Sequence, residues 1–106
     1  HPLADELWRA LPLECCYATW GDEIYFDTGL EWTGEVGLVQ TVVELGDVGY
    51  WPPGNALCLF YGPTPASRAG EIRPASPVAV LGRIEGDATL LKGVSAPTIR
   101  VVREGE

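Results

Sequence analysis

The sequence predicts a mainly β fold, a closed or nearly closed barrel, formed by one domain over residues 1–106. About seven short runs rich in β-branched and aromatic residues follow one another, with turn signals of Gly, Pro and Asp between them. Two segments show helical features, and both are short, so the strands do not alternate with helices as they do around a parallel sheet. A chain of 106 residues can bury one modest core.

The first half of the chain predicts one helix followed by strands. Residues 3–11 are predicted to be helical because their apolar positions recur at helical spacing, and Pro12 must end that helix. Strands are predicted over residues 15–20 and 23–27, joined by a tight turn at Gly21-Asp22. The polar, Gly-bearing segment 29–37 is predicted to be a loop.

The second half predicts further strands around one stiff loop. A short second helix is predicted over residues 88–92, with Asp87 as its N-cap and Gly93 just beyond its end. Residues 62–77 are dense in Pro and Gly and predict a stiffened loop on the barrel rim, where binding groups often lie. The predicted strands are residues 38–45, 47–51, 56–61, 78–84 and 99–103.

Composition excludes several classes of function. The net charge of −8 would repel a phosphate backbone, so no nucleic-acid partner is expected. No apolar run approaches the roughly 18 residues of a membrane span, and the chain does not open on a signal peptide. We therefore expect a cytoplasmic protein with no membrane partner.

The reactive residue types argue against metal and triad chemistry. Cys15, Cys16 and Cys58 make no disulfide framework, and Cys58 is expected in the core because it lies inside an apolar strand. His1 is the only histidine, so there is no base for a Ser-His-Asp or Cys-His arrangement and no histidine ligand set. We expect neither a metal nor a cofactor. The acids Asp22, Glu23 and Asp27 match no cation loop and are interpreted as a solvated face.

Aromatic and polar residues suggest a site at the barrel rim. Pro52 and Pro53 cannot donate ladder hydrogen bonds, so the chain leaves the sheet there and brings Tyr50 and Trp51 to the rim. These rings would form either the wall of a pocket or the cap of the core.

Two further groups could complete such a pocket. Glu23 and Tyr25 share one face of a predicted strand next to Trp20; this face either lines the pocket, which would raise the pKa of Glu23 and suit it to act as a base, or faces solvent. Arg73, with Ser76, would either bind a carboxylate or carbonyl group of a ligand or pair with a nearby acid.

Three blocks of sequence carry a resemblance to a known family. TWGDEIYFDT at 19–28, GDVGYWPPGNALCLFYGPTP at 46–65 and RPASPVAVLGRI at 73–84 resemble the small bacterial and archaeal cyclophilin-like proteins of uncharacterised function. The resemblance covers nearly the whole chain and implies a barrel of about eight strands closed at its ends by helices. Family members usually carry a strand or hairpin before the first helix, and that element is not found before His1, so we expect either that the sequence lacks a stretch from its beginning or that the barrel is built differently. A barrel without that strand would have an open edge that invites pairing with another chain.

The resemblance favours a binding pocket over the activity of true cyclophilins. Cyclophilins are prolyl isomerases that depend on an arginine beside a phenylalanine-lined proline pocket, and the corresponding segment here, DVGYWPPG, contains no arginine. We expect a rim pocket for a small amide or carboxylate compound or an Xaa-Pro peptide, with Glu23 as the candidate catalytic residue. Prolyl isomerase activity and a non-catalytic interaction module, such as a homo-oligomer, are the alternatives. The expected ligand-binding residues are Trp20, Glu23, Tyr25, Tyr50, Trp51 and Arg73.

Overall fold

A computed structural model describes residues 1–30, 32 and 34–103 of the chain. Helix α1 spans Pro2–Ala10, close to the predicted 3–11. His1 caps it, because its side chain accepts a hydrogen bond from the backbone N–H of Leu3 at 3.1 Å. Leu3 is buried, so the first turn of the helix is fixed against the core.

The remaining regular structure is mainly β, as predicted. Two of the predicted strands, 23–27 and 47–51, agree with the structure at both ends. The described residues form β1 Leu13–Cys15, β2 Ala18–Thr19, β3 Glu23–Asp27, β4 Asp47–Trp51, β5 Ala56–Phe60, β6 Ala79–Arg83 and β7 Ile99–Val101.

The seven strands form two antiparallel sheets. The larger sheet has the order β2-β3-β5-β4-β6, and β1 pairs with β7 in the smaller one. Within the described part of the chain no ladder of hydrogen bonds joins the two sheets. The mainly β class is therefore confirmed, whereas closure into a barrel of about eight strands stays a prediction.

Two strand predictions are wrong. Residues 15–20 do not form one strand: β1 ends at Cys15 and pairs with β7, whereas β2 begins at Ala18 and pairs with β3. The chain therefore passes from the smaller sheet to the larger one between these two strands. In this connection the Tyr17 hydroxyl donates a hydrogen bond to the carbonyl of Ala96 at 2.6 Å.

Residues 38–45 form isolated bridges rather than the predicted strand. Gln40 pairs with Val78 and Val43 pairs with Ile72, but no continuous ladder connects these bridges. Val43 is buried, whereas Leu38 is 93% exposed, so the β-branched run does not have one face in the core. Local propensity alone does not make a strand without a neighbouring edge and a buried face.

The predicted second helix exists as a 3₁₀ helix, Ala88–Gly93. Asp87 caps it as expected by accepting a hydrogen bond from the backbone N–H of Thr89 at 3.0 Å. Gly93 is the last residue of this helix and does not lie beyond its end. The predicted loop 62–77 contains one bridging residue, Ile72, and no strand. Residues 31 and 33 of the predicted loop 29–37 lie outside the described residues.

The central strands β3 and β5 of the larger sheet are buried on both faces, and the site lies on one of these faces. One face packs against α1 and the 3₁₀ helix Ala88–Gly93, with Ile24, Phe26, Leu57, Leu7 and Ala88 in that core. The opposite face carries Cys58 and Phe60, which pack with Val43 and Val78. No helix of the described residues is long and apolar enough to cross a membrane.

Candidate functional site

A pocket of about 280 Å³ lies on the second buried face of the larger sheet. Four of the six predicted ligand-binding residues line it: Trp20, Glu23, Tyr25 and Trp51. The other lining residues are Cys58, Pro74, Ala75 and Val78.

Strand alternation places Glu23 and Tyr25 in this pocket. Side chains two residues apart in a strand share one face of the sheet. In the register between β3 and β5, Tyr25 is opposite Cys58 and Glu23 is opposite Phe60, so all four side chains belong to the same face. Ile24, between them, points to the opposite core. The predicted common face of Glu23 and Tyr25 therefore faces the pocket.

Glu23 is a buried acid in the pocket wall. Its exposed fraction is 6%, so its interpretation as part of a solvated acidic face is wrong. Burial raises the pKa of its carboxyl group, while a hydrogen bond with the Cys58 thiol acts in the opposite direction. Burial and the neighbouring Glu23 carboxylate in turn raise the pKa of the Cys58 thiol. The thiol is thus held protonated beside the acid.

Trp51 is held in position from two sides. Its indole N–H donates a hydrogen bond to the hydroxyl of Ser76 at 2.5 Å. Gly54 packs against the Trp51 ring, and a Cβ added at this position would lie 2.6 Å from two ring carbons. Trp51 also packs against the core around Phe60, so the ring is both a cap of the core and a wall of the pocket.

The loop 62–77, called the Pro-rich loop below, forms another wall of the pocket. Pro74 is buried and lines the pocket together with Ala75. The loop is fixed just before this point, because the hydroxyl of Thr64 donates to the carbonyl of Arg73, and the Arg73 N–H donates to the Ser67 hydroxyl at 3.0 Å. The stiff loop predicted from Pro and Gly content is thus anchored by two hydroxyl side chains.

Tyr50 is not part of the pocket lining. It is adjacent to Trp51 in β4 and so points to the other face of the sheet, opposite Leu57. Its hydroxyl donates to the side-chain oxygen of Asn55 at 2.8 Å. Asn55 adopts a left-handed conformation with φ of 49°. Tyr50 therefore holds the turn that follows Trp51 and is separated from the pocket by the sheet.

Arg73 also lies outside the pocket lining. Its Nε is 2.8 Å from the Glu71 carboxylate, which is the acid-pairing alternative considered above. Ser76, considered together with Arg73, contacts Trp51 instead of Arg73. The structure thus brings Trp20, Tyr25 and Trp51 together with Glu23, and it leaves Tyr50 and Arg73 outside the pocket lining.

Sequence reasoning missed half of the pocket lining. Cys58 was expected in the core, and its 2% exposure confirms that, but its register opposite Tyr25 also gives it a place in the pocket. The sequence does not show which residue of β5 lies opposite Tyr25 of β3, and that register is what would have predicted Cys58 as a pocket residue. Pro74 and Ala75 lie in the predicted rim loop 62–77, where binding groups were expected, but neither was named as a binding residue.

The described residues contain no group of three or more His, Cys, Asp and Glu side chains placed to hold a metal ion. The three acids close in sequence diverge in space. Glu23 enters the pocket, Asp22 lies 3.7 Å from the amine of Lys92, and Asp27 accepts a hydrogen bond from the N–H of Gly29.

A second cavity, of about 450 Å³, lies between α1 and strands β6 and β7. Its charged lining residue, Arg83, is exposed and contacts Glu44 at 2.6 Å and Asp47 at 3.5 Å. The apolar lining residues are Ala4, Leu7, Trp8, Leu11, Leu13, Val48, Leu57, Leu81, Val101 and Val102. The sequence did not predict this cavity.

Comparisons with known proteins agree with the sequence blocks. The family model described as cyclophilin-like matches residues 1–103. A hypothetical protein from Archaeoglobus fulgidus, known from its solution structure, is similar with 46% sequence identity and a TM-score of 0.77; the match covers 94% of this chain and 76% of that one. Curated proteins gave no match. The family match spans nearly the whole chain, and the chain therefore belongs to the cyclophilin-like family.

Proposed function

We propose that the pocket between β3, β5 and the Pro-rich loop binds a small molecule or a small group of a peptide. The observation that carries this proposal is a 94%-buried acid, Glu23, in the wall of an otherwise mainly apolar and aromatic pocket. Ligand pockets typically combine apolar walls with a few placed polar groups. A titratable group shifted by burial inside a cleft is a recognised feature of functional sites.

The proposal is supported by what holds the aromatic wall in place. Trp51 has a hydrogen-bond partner at its indole nitrogen and a glycine against its ring, so the wall is formed before a ligand arrives. A preformed wall lowers the entropic cost of binding. Cys58 with its protonated thiol adds a hydrogen-bonding group next to Glu23 without adding charge.

A fragment titration followed by amide NMR tests the proposal. The probes are small amides, carboxylic acids, amines and an Ala-Pro peptide, each titrated separately. We expect at least one class to shift the amide signals of Trp20, Tyr25 and Cys58, and Trp51→Ala to weaken that binding while the remaining spectrum stays folded. Trp8→Ala is the matched control, because Trp8 is 56% exposed and lies at the other cavity. If no class perturbs the pocket signals, the proposal is wrong.

Prolyl isomerisation has less support than binding. The described residues that line the pocket include no arginine, and Arg73 is bound to Glu71. Recording exchange spectra of the Ala-Pro peptide in the same titration tests this alternative directly. Accelerated cis/trans exchange would establish the isomerase despite the missing arginine.

The pocket is also a better candidate site than the second cavity. Arg83, the charged residue of that cavity, is exposed and already engaged by two acids, so the cavity offers apolar contact without a free polar anchor. A binding site needs polar groups that fix orientation. Glu23 provides such a group in the pocket.

A further inference from the structure

The pocket contains an acid that no cation of the described lining residues pairs with. Glu23 is the acidic residue in the lining, and no lysine, arginine or histidine of the described chain lines the pocket with it. Buried charges in proteins are normally paired. The cations that the sequence offers nearby are engaged elsewhere, Arg73 by Glu71 and Lys92 by Asp22. A cationic ligand would supply the partner that the ionised form of Glu23 lacks in this pocket.

The rest of the wall suits a positive charge that is poorly hydrated. Trp20, Tyr25 and Trp51 all line the same 280 Å³. Aromatic rings attract cations through the negative charge of their faces, and groups of such rings recognise alkylated ammonium ions. The indole N–H of Trp51 is directed at Ser76, so this donor is satisfied and does not oppose a cation.

The type of cation follows from the aromatic and apolar character of the wall. Alkylated ammonium ions present an apolar surface around a diffuse charge, and groups of aromatic rings recognise them. The polar side chains in the pocket lining are the Glu23 carboxyl, the Tyr25 hydroxyl and the Cys58 thiol, together with the indole N–H groups. The remaining lining is apolar or aromatic, which suits the alkyl groups that cover the nitrogen of a quaternary ammonium. The pocket volume is at the lower end for ligand sites, which restricts the bound part to a small group.

We infer that the pocket, if it binds ligands as proposed above, takes an organic cation with an alkylated ammonium group, whose charge lies beside Glu23 and whose alkyl groups contact Trp20, Tyr25 and Trp51. The chain's net charge of −8 attracts such a cation from a distance. Bound there, the cation favours the ionised form of Glu23, whose pKa burial raises in the free protein.

Choline is the probe, and its neutral carbon isostere is the matched ligand. In the isostere a tert-butyl group replaces the trimethylammonium group, so shape is kept and charge is removed. Each is titrated into the wild-type protein at fixed ionic strength, set with sodium chloride, while the amide signals are recorded. We expect choline to shift the signals of Trp20, Tyr25 and Cys58 and to bind at least about tenfold more tightly than the isostere.

Two isosteric variants assign the charge effect to one residue. Glu23→Gln is expected to weaken choline binding at least about tenfold and to leave the isostere's affinity unchanged. Glu85→Gln removes the same charge from an exposed position outside the pocket and is expected to change choline affinity less than about twofold.

The outcomes separate this inference from the proposed function. Equal affinity for choline and its isostere, or full choline affinity in Glu23→Gln, overturns the cation assignment. Pocket shifts with amides or carboxylic acids but none with choline overturn the cation assignment and leave the proposed function in place. Absence of pocket shifts with every probe overturns both.

Discussion

Gly54→Ala should displace Trp51 from the pocket wall. The Cβ of an alanine at this position would lie 2.6 Å from the Cε3 and Cζ3 atoms of Trp51. Carbon atoms in contact are ordinarily about 3.5 Å or more apart, so the ring must withdraw by about 0.9 Å or the backbone must shift. The φ of Gly54 is not in the left-handed region, so alanine is acceptable to the backbone itself and the effect comes from the ring.

The expected cost is that of overpacking one aromatic contact. Overpacking costs roughly 1–3 kcal/mol, and weakening the Trp51–Ser76 hydrogen bond contributes up to about 1 kcal/mol of that sum. For a domain of this size each kcal/mol lowers the melting temperature by roughly 4–8 °C. Because the ring forms part of the pocket, ligand affinity should fall together with stability.

Urea denaturation and the NMR signal of the Trp51 indole N–H measure the two effects. Gly82→Ala is the control, since a Cβ at Gly82 meets no atom within 4 Å and its φ is not in the left-handed region. That control should leave the unfolding free energy unchanged or slightly higher. An unchanged indole signal with an unfolding free energy within about 0.3 kcal/mol of wild type in Gly54→Ala would refute the assignment of Gly54 as the support of the Trp51 ring.

Three further predictions concern the buried groups. Burial raises the pKa of Glu23 above its value in the unfolded chain, so its favourable contribution to stability is full in acid and is lost as pH rises through the folded pKa. Glu23→Gln should therefore become more stable relative to wild type between about pH 4 and about pH 7. Urea titrations at both pH values measure this, and a constant difference would contradict it. Phe60 has no exposed surface, and Phe60→Ala should cost about 3–5 kcal/mol; a loss below about 1 kcal/mol would argue against its central place in the core. Iodoacetamide should modify the exposed Cys16 in the folded protein and reach Cys58 after unfolding, because Cys58 is buried and its thiol pKa is raised; mass spectrometry with and without urea measures this, and rapid labelling of folded Cys58 would be the opposing result.

Periodicity predicted the strands that have a buried face, and it failed where burial depends on distant neighbours. β3 and β4 were predicted to the residue, because alternation and the flanking Gly and Pro residues define them locally. The run 38–45 has strong strand propensity, yet it forms isolated bridges at Gln40 and Val43. Whether a neighbouring strand edge is available depends on the whole sheet, so the sequence of residues 38–45 alone does not determine whether they form a strand.

The site was predictable in its residue types and less so in its geometry. Alternation put Glu23 and Tyr25 on one face, and this is observed. The sequence could not show that both faces of the sheet are covered, so a solvent-facing Glu23 was a reasonable alternative. Tyr50 and Trp51 were predicted together at the rim, although neighbours in a strand must point to opposite faces. For Arg73, pairing with a nearby acid was one of the two alternatives, and the structure shows it with Glu71, two residues away.

Glu23 is the residue whose presence packing does not explain. A glutamine would fill nearly the same space in β3 without an ionisable group, and the raised pKa of Glu23 means that its ionised form is less favourable in the folded protein than in the unfolded chain. Groups that destabilise a fold commonly mark sites where function needs them. Stability and choline affinity of Glu23→Gln therefore belong in one comparison. A variant that is more stable and binds choline less tightly assigns the acid to binding, whereas a variant that is more stable and binds choline equally well leaves the acid without the role proposed for it.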